Sequence, residues 1–252
     1  MGAGKLSRLF LILQSNLHIF SMKNVLKTTA NSALGVFGLR IARKLPEPKY
    51  WGTGKLSPIE ENSREIYEKF YGDRAALEAY YVGDRMAFFK KVVSQCQQHG
   101  LQLDGRSVID VGCGVGYLLQ EIGNVYKPAT CTGTDFSEEA MAASRERFPS
   151  YKFHRHDILH PLPGTFDVIF CTEVLEHIVE PWIALGNLKK ALNPGGALVL
   201  TVPQGRKDHS NEHINFWSPE SWKAFLEREC PEAKSVVTKV IEDVFNFAVI
   251  QF

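Results

Sequence analysis

Three short polar clusters in this chain stand where apolar, strand-like runs end. In the first, Asp110-Val111-Gly112-Cys113-Gly114-Val115-Gly116, an acid precedes three glycines set two residues apart. Glycine lets the backbone turn tightly and lets a ligand approach without meeting a Cβ. A helix starting at Tyr117 would add unpaired N–H groups and the positive end of its dipole. Dinucleotide enzymes use the same geometry for a pyrophosphate, so glycine spacing alone does not choose a ligand. The dinucleotide pattern, however, wants its third glycine at the position of Tyr117.

The second cluster, Thr132-Gly133-Thr134-Asp135-Phe136-Ser137, also ends on an acid. Asp135 could cap the helix that begins near Ser137, or its two oxygens could accept from a vicinal diol. The third cluster is Thr172-Glu173-Val174-Leu175-Glu176-His177. Spacings of three and four would put Glu173, Glu176 and His177 on one face of a helix. His177 is a candidate general base, since imidazole titrates in the working range. His213, in Asn211-Glu212-His213-Ile214-Asn215-Phe216-Trp217, is a second candidate base on a loop able to cover an acceptor.

The elements that must position these residues follow from hydropathic period. Ser107–Val111, Thr130–Thr134, Tyr151–His156, Asp167–Thr172 and Ala197–Val202 read as strands. Helices Tyr117–Val125, Ser137–Phe148, Trp182–Leu192 and Ser218–Arg228 alternate with them. Pro194-Gly195-Gly196 reads as a turn before the fifth strand. Ser235–Ile241 and Phe245–Phe252 form an antiparallel pair around Glu242-Asp243. The expected fold is α/β: a doubly wound, mostly parallel sheet with helices on both faces. Residues 58–99 recur at helical spacing and break at Gly72-Asp73 and Gly83-Asp84, as three cap helices would.

At Asp-x-Gly-x-Gly-x-Gly the sequence resembles the class I, Rossmann-like, S-adenosylmethionine-dependent methyltransferases. Further stations of that family follow in order at Asp135, at His156-Asp157-Ile158, along Phe166–Glu173 and at Leu188–Gly196. The resemblance covers residues 100–252. It implies seven strands in the order 3-2-1-4-5-7-6 beneath a helical N-terminal cap. It implies S-adenosylmethionine as cofactor, with Asp110 at its amino group, a charge pairing that a diphosphate would not allow. It further implies Asp135 on the ribose hydroxyls, Asp157 on the adenine amino group, and Ile158 over the ring. Gly112, Cys113, Gly114, Gly116, Phe136, Thr172 and Glu173 complete the expected cofactor site. Glu-x-x-Glu-His also resembles the metal site of small-RNA 3′-end methyltransferases and the equivalent segment of ubiquinone-pathway O-methyltransferases. Glu173, Glu176, His177 and His213 are therefore a candidate divalent-metal set, beside the simpler reading without metal.

Lys and Arg number 29 against 28 Asp and Glu, and no basic stripe appears, which argues against a nucleic-acid acceptor. The five cysteines are far apart and form no Cys-x-x-Cys pair, so reduced thiols in a cytoplasmic protein are expected. His154, His156 and His160 read as polar residues of an edge strand. The acceptor side is assigned to Tyr80, Tyr81 and Arg85 of the cap and to Trp217. The resemblance implies methylation of an oxygen, in preference to a nitrogen, on a small or lipid-like molecule. The near-zero net charge with an aromatic-rich cap points to an apolar or aromatic acceptor such as a secondary metabolite or quinone precursor. The alternatives are a glycan sugar as acceptor, a protein that binds the cofactor without turnover, and a nicotinamide-linked oxidoreductase. Residues 1–44 read as a disordered or amphipathic tail, with no spanning helix or signal-peptide core and with peripheral membrane contact open. Met22 is an alternative start, residues 45–99 form the cap, and Pro46–Gly54 reads as a linker.

Overall fold

The computed structural model describes residues 56–252. The tail, the alternative start at Met22, the linker and the first part of the cap lie outside the described residues. Among those described, no helix is long and apolar enough to cross a membrane.

The cap begins with α1 (Pro58–Glu61), α2 (Arg64–Gly72), α3 (Arg74–Tyr80) and α4 (Asp84–Gln98). The breaks fall at the glycine–aspartate pairs, and the short α1 is an addition to the three helices expected. Asp73 ends α2 and its side chain accepts from Ala76 N to cap α3. Gly83 precedes α4 at φ +49°, a left-handed conformation that suits glycine.

The α/β body runs β1 (Ser107–Val111), α5 (Tyr117–Val125), β2 (Thr130–Asp135), α6 (Glu138–Arg147), β3 (Lys152–Arg155) and β4 (Phe166–Thr172). It continues with a 3-10 turn (Leu175–His177), α7 (Pro181–Lys190), β5 (Leu192–Pro203), α8 (Pro219–Glu229), β6 (Ser235–Ile241) and β7 (Phe245–Gln251). One seven-stranded sheet results, in the order β3-β2-β1-β4-β5-β7-β6. Only β7 runs antiparallel to its neighbours β5 and β6. Glu242 and Asp243, at φ +52° and +62°, close the β6–β7 hairpin.

Alternation along the strands separates two cores. Val108, Phe170, Val199 and Phe247 face α4 and α5, while Ile109, Ile169, Leu198 and Ala248 face α7 and α8. Phe88, Phe89, Val92 and Val93 of α4 pack into the first core, so this cap helix lies directly on the sheet. All five cysteines are unpaired thiols.

At one point the chain departs from expectation. Pro194-Gly195-Gly196 is not a turn ahead of a short strand but an irregular opening of β5. Leu192 pairs with Phe166, the register then shifts, and Ala197 pairs with Val168. Gly195 takes φ +77°, and Asn193 Nδ2 donates to Asp167 Oδ1 at 2.9 Å to hold the bulge.

One carboxylate makes several of the bonds that tie the cap to the body. Glu68 of α2 accepts from Ser137 Oγ at 2.6 Å and from the backbone N–H groups of Glu138 and Glu139, both at 2.9 Å. These are the open donors of the first turn of α6, which Ser137 also caps through Ala140 N. Burial works against the Glu68 charge, but the three bonds outweigh it and hold its carboxyl below the usual range. Glu68→Ala should therefore cost ~1 kcal/mol in urea unfolding at pH 7. The loss should shrink as pH falls below the usual carboxylate range and vanish once the lowered carboxyl of the folded wild type is itself protonated.

Candidate active site

The strand order reverses between β1 and β4. Their carboxyl ends therefore open a crevice, and the three polar clusters meet there. After Val111 the backbone turns through Gly112, Gly114 and Gly116 at φ +77°, +52° and +83°. Gly112 N and Cys113 N both donate to Thr134 O, at 2.7 and 2.9 Å, and Gly114 N donates to Asp135 Oδ2 at 3.1 Å. The loop after β1 is thus stitched to the end of β2. A Cβ on Gly112 would lie 2.3 Å from Val174 Cγ2, and one on Gly114 would lie 2.4 Å from Tyr81 Oη.

Asp135 is buried, and its Oδ1 accepts from Ser137 N at 3.0 Å. Capping of α6 falls to Ser137, so the alternative role for Asp135 is already taken. Burial raises the Asp135 carboxyl to about 6 in spite of the bonds from Ser137, Gly114 and Phe136. Asp110 is 1% exposed, and its Oδ1 has no hydrogen-bond partner. Burial, with repulsion from Asp135, pushes it to about 8, against the pull of the Arg85 guanidinium.

A cleft beside this loop is lined by Gly112, Asp135, Phe136, Asp157, Ile158 and Glu173, with Tyr67, Tyr71 and His177 among its other walls. The Tyr67 ring meets Phe136 edge-on at 5.0 Å and His177 at 6.3 Å. Asp157 Oδ1 holds Leu159 N at 3.0 Å. His156 joins the cleft wall, whereas His154 is exposed on β3, an edge strand.

The segment after β4 is not a regular helix. Glu173 sits at φ +55°, rare for a residue with a side chain, and only Leu175–His177 form a helical turn, of the tighter 3-10 kind. The expected common face of Glu173, Glu176 and His177 is therefore absent. Glu173 Oε1 turns instead to Thr201 Oγ1 at 2.9 Å. Its carboxyl is pushed up to about 7 by burial, against the pull of Arg85.

Glu176 and His177 turn toward His213. One ligand-capable atom from each of these three residues lies within 4.8 Å of those of the others. The two imidazoles pack edge to face at 4.7 Å. Glu176 is 1% exposed, and neither carboxylate oxygen has a hydrogen-bond partner, though Oε1 lies 3.8 Å from His177 Nε2. Burial together with Glu173 drives its carboxyl well upward. His177 Nδ1 is also without a partner, and burial, with His213 nearby, lowers this imidazole to about 3. At neutral pH His177 is thus an uncharged and feeble base, against the expectation that it titrates in the working range. His213 Nδ1 lies 2.6 Å from Asp208 Oδ2.

The profile of a family described as a methyltransferase domain matches residues 81–229. The chain belongs to the class I S-adenosylmethionine-dependent methyltransferases. Among its relatives, trans-aconitate 2-methyltransferase of Variovorax paradoxus is 33% identical over 103 residues, which are 40% of this chain and 40% of that one. A ubiquinone biosynthesis O-methyltransferase of Thiobacillus denitrificans is 36% identical over 101 residues, 37% of this chain and 43% of the relative. The matches thus span less than half the length of these two curated relatives. The fold is shared with the magnesium protoporphyrin IX methyltransferase of Synechocystis at a TM-score of 0.57, with 16% identity and 75% and 99% of the two chains covered. It is shared also with an N-methyltransferase of Bradyrhizobium japonicum at a TM-score of 0.58, with 16% identity and 75% and 98% covered. Membership of this family displaces the nicotinamide alternative.

The remaining candidates of this methyltransferase fall in different places. Cys113 and Thr172 are buried and do not line the cleft. Tyr81 is buried with its hydroxyl over Gly114, and Tyr80 meets it edge-on at 5.0 Å. The Arg85 guanidinium lies over the rings of Tyr80, Phe88 and Phe89 at 5.2 to 5.3 Å, and its Nε has no hydrogen-bond partner. Trp217 is buried against Trp222 and Phe225, in the second core and away from the cleft. Sequence reasoning passed over Tyr67 and Asp208. The helical period of α2 does not tell a core tyrosine from a cleft one, and the five-residue gap from Asp208 to His213 matches no regular element. Gly112→Ala combines a left-handed φ with a collision on Val174, so it should lower the melting temperature and weaken S-adenosylhomocysteine binding at least tenfold by calorimetry.

Proposed function

We propose that this chain transfers the methyl group of S-adenosylmethionine to an oxygen of a small or lipid-like molecule. The observation that carries this reading is the buried Asp110, with one oxygen unsatisfied, beside a glycine loop pinned open by Thr134 and Asp135. An unpartnered buried carboxyl is costly, and a ligand ammonium is the group that would relieve it. The same residues suit the rest of the cofactor. Asp135 offers its carboxylate to the ribose hydroxyls, and Asp157 accepts from the adenine amino group. Phe136 and Ile158 flank the ring, and Gly112 offers its backbone at the cleft wall, while Cys113, Gly114 and Gly116 shape the loop behind it. Thr172 and Glu173 close the end of β4 beneath the reacting centre. When bound, S-adenosylmethionine supplies an electrophilic methyl and a thioether leaving group.

The chain's task is then to align the acceptor and take its proton. His213, whose Nδ1 lies 2.6 Å from Asp208 Oδ2, is the candidate placed to take that proton. Arg85, Tyr80 and Tyr81 stand on the acceptor side of the cap. An oxygen acceptor is supported by the relative named as an O-methyltransferase. The balanced charge of the chain speaks against nucleic acid, and five unpaired thiols suit a cytoplasmic setting.

One observation favours a second reading of the same site, with a divalent cation. Glu176 and His177 bury polar atoms without partners and stand with His213 as a ligand set would. A cation held by Glu176, His177 and His213 would acidify an acceptor hydroxyl. Glu173 is a fourth candidate only if it leaves Thr201.

With methyl-labelled cofactor and an extract of the source organism, label should enter the lipid or small-molecule fraction. Label in protein or RNA would overturn the acceptor class, and full turnover in excess chelator would remove the metal reading. The Asp110 carboxyl, at about 8, is protonated at pH 7 and would ionise against a bound ammonium. Binding of S-adenosylhomocysteine should therefore release up to one proton and tighten as pH rises from 6 to 7.5. Calorimetry in buffers of different ionisation enthalpy reads that release directly, and Asp110→Asn should abolish it.

A further inference from the structure

The two nitrogens of His213 have different surroundings. Nδ1 lies 2.6 Å from Asp208 Oδ2, and both side chains are largely buried, 10% and 6% exposed. Asp208 does not depend on His213 for its place. Its Oδ1 accepts from Ser210 N at 3.1 Å, and its own N–H donates to Gln204 O at 3.1 Å. Gln204 is in turn fixed to the body, its N–H donating to Val244 O at 2.8 Å and its side chain accepting from Arg206 N at 3.0 Å. The carboxylate is therefore built into the chain just beyond β5. Among the described residues its one ion pair is with His213.

A carboxylate accepts and cannot donate, so the nitrogen facing it must carry hydrogen. In a neutral imidazole that places the proton on Nδ1 and a lone pair on Nε2. Nε2 is then the nitrogen left for the cluster with Glu176 and His177. Without Asp208 the other tautomer would be open to His213. A hydrogen on Nε2 would place a donor where the cluster needs an acceptor.

We propose that Asp208 is a positioning residue that fixes His213 as its Nδ1–H tautomer, making Nε2 the lone-pair donor of the active centre toward a divalent cation. The tautomer stands on the Asp208 geometry alone, and the cation rests on the metal reading above. Carboxylates behind a ligating histidine commonly govern metal affinity in this way.

The test uses the described protein with 15N-labelled histidine, free of metal, at pH 8.5. Wild-type His213 should show a protonated Nδ1 and a bare Nε2. Asp208→Ala should move much of the signal to the Nε2–H form or to an exchanging mixture, while Asp208→Asn, which still offers an acceptor oxygen, should retain more of the Nδ1–H form. An Nε2–H or doubly protonated ring in the wild type would overturn the proposal. So would an Asp208→Ala spectrum identical with the wild type. A Mn2+ titration then reads the second half, with Asp208→Ala expected to bind 10- to 100-fold more weakly while its affinity for S-adenosylhomocysteine stays unchanged. Equal Mn2+ affinity in the two proteins would refute the role toward a cation. A wild type that binds no Mn2+ but shows the expected tautomer would overturn the metal reading and leave the assignment of Asp208 standing.

Discussion

The active site depends on a shared carbonyl. Thr134 O takes hydrogen bonds from both Gly112 N and Cys113 N, and so binds the loop after β1 to the last residues of β2. A parallel pair of strands leaves its carboxyl ends free to diverge. These two bonds, with that from Gly114 N to Asp135, hold the ends together. The glycines are required because the turn uses left-handed conformations and runs within van der Waals reach of Val174 and Tyr81. From that clamp the positions of Asp110 and Asp135 follow without further freedom. Asp135 lines the cleft and Asp110 is buried close by, and repulsion from Asp135 contributes to the raised value at Asp110.

The crevice as a whole is rich in acid and poor in cations. Asp110, Asp135, Glu173 and Glu176 all have carboxyls raised by burial, and the Arg85 guanidinium is the basic side chain that lowers three of them. Ionising such a group without compensation costs several kcal/mol, so Asp110 and Glu176 stay neutral until a positive partner arrives, whereas backbone N–H bonds leave Asp135, at about 6, mostly ionised at pH 7. Asp110 and Glu176 await that partner at different ends, beside the glycine loop and beside the two imidazoles. Under the proposed function a cofactor ammonium answers the first. The second explains why His177, at about 3, is better understood as a neutral ligand or contact than as the base its sequence position suggests.

Much of this was legible before any coordinates. The strands, the helices and the hairpin at Glu242-Asp243 follow from hydropathic period and turn residues, because burial on a sheet imposes a period of two that propensity seldom overrides, whereas the strand order came from the family resemblance. Asp110, the glycines and Asp135 were legible for the same reason that they are rigid: their roles are local to strand ends. The failures share a cause as well. Pro194-Gly195-Gly196 looked like a turn because glycine and proline mark broken regularity, and a bulge breaks it too. Glu173, Glu176 and His177 matched a helical spacing in a segment too short to hold a helix, where a left-handed residue sends Glu173 elsewhere. Trp217 sat next to exposed Phe216, and which of the two faces the core depends on packing against α8.

The same contrast bears on where specificity can reside. The clamp, the acids and the sheet are fixed by backbone bonds and leave little to vary. The residues that distinguish this site are carried on segments whose path is set by tertiary contacts: Tyr67 on α2, Arg85 at the head of α4, and Asp208 and His213 after β5. Long-range tethers hold α2 and the loop of His213. Glu68 ties α2 to α6, Asn62 Nδ2 of the cap reaches Glu212 O at 2.6 Å, and Ile214 N and Asn215 N both bond to Glu176 O. The last of these fastens the loop bearing His213 to the residue whose carboxyl it faces. Cap, loop and catalytic turn are thus joined to one another around the crevice as well as to the sheet. A change in the acceptor side of this fold would therefore be felt at His213 and Glu176 before it reached Asp110.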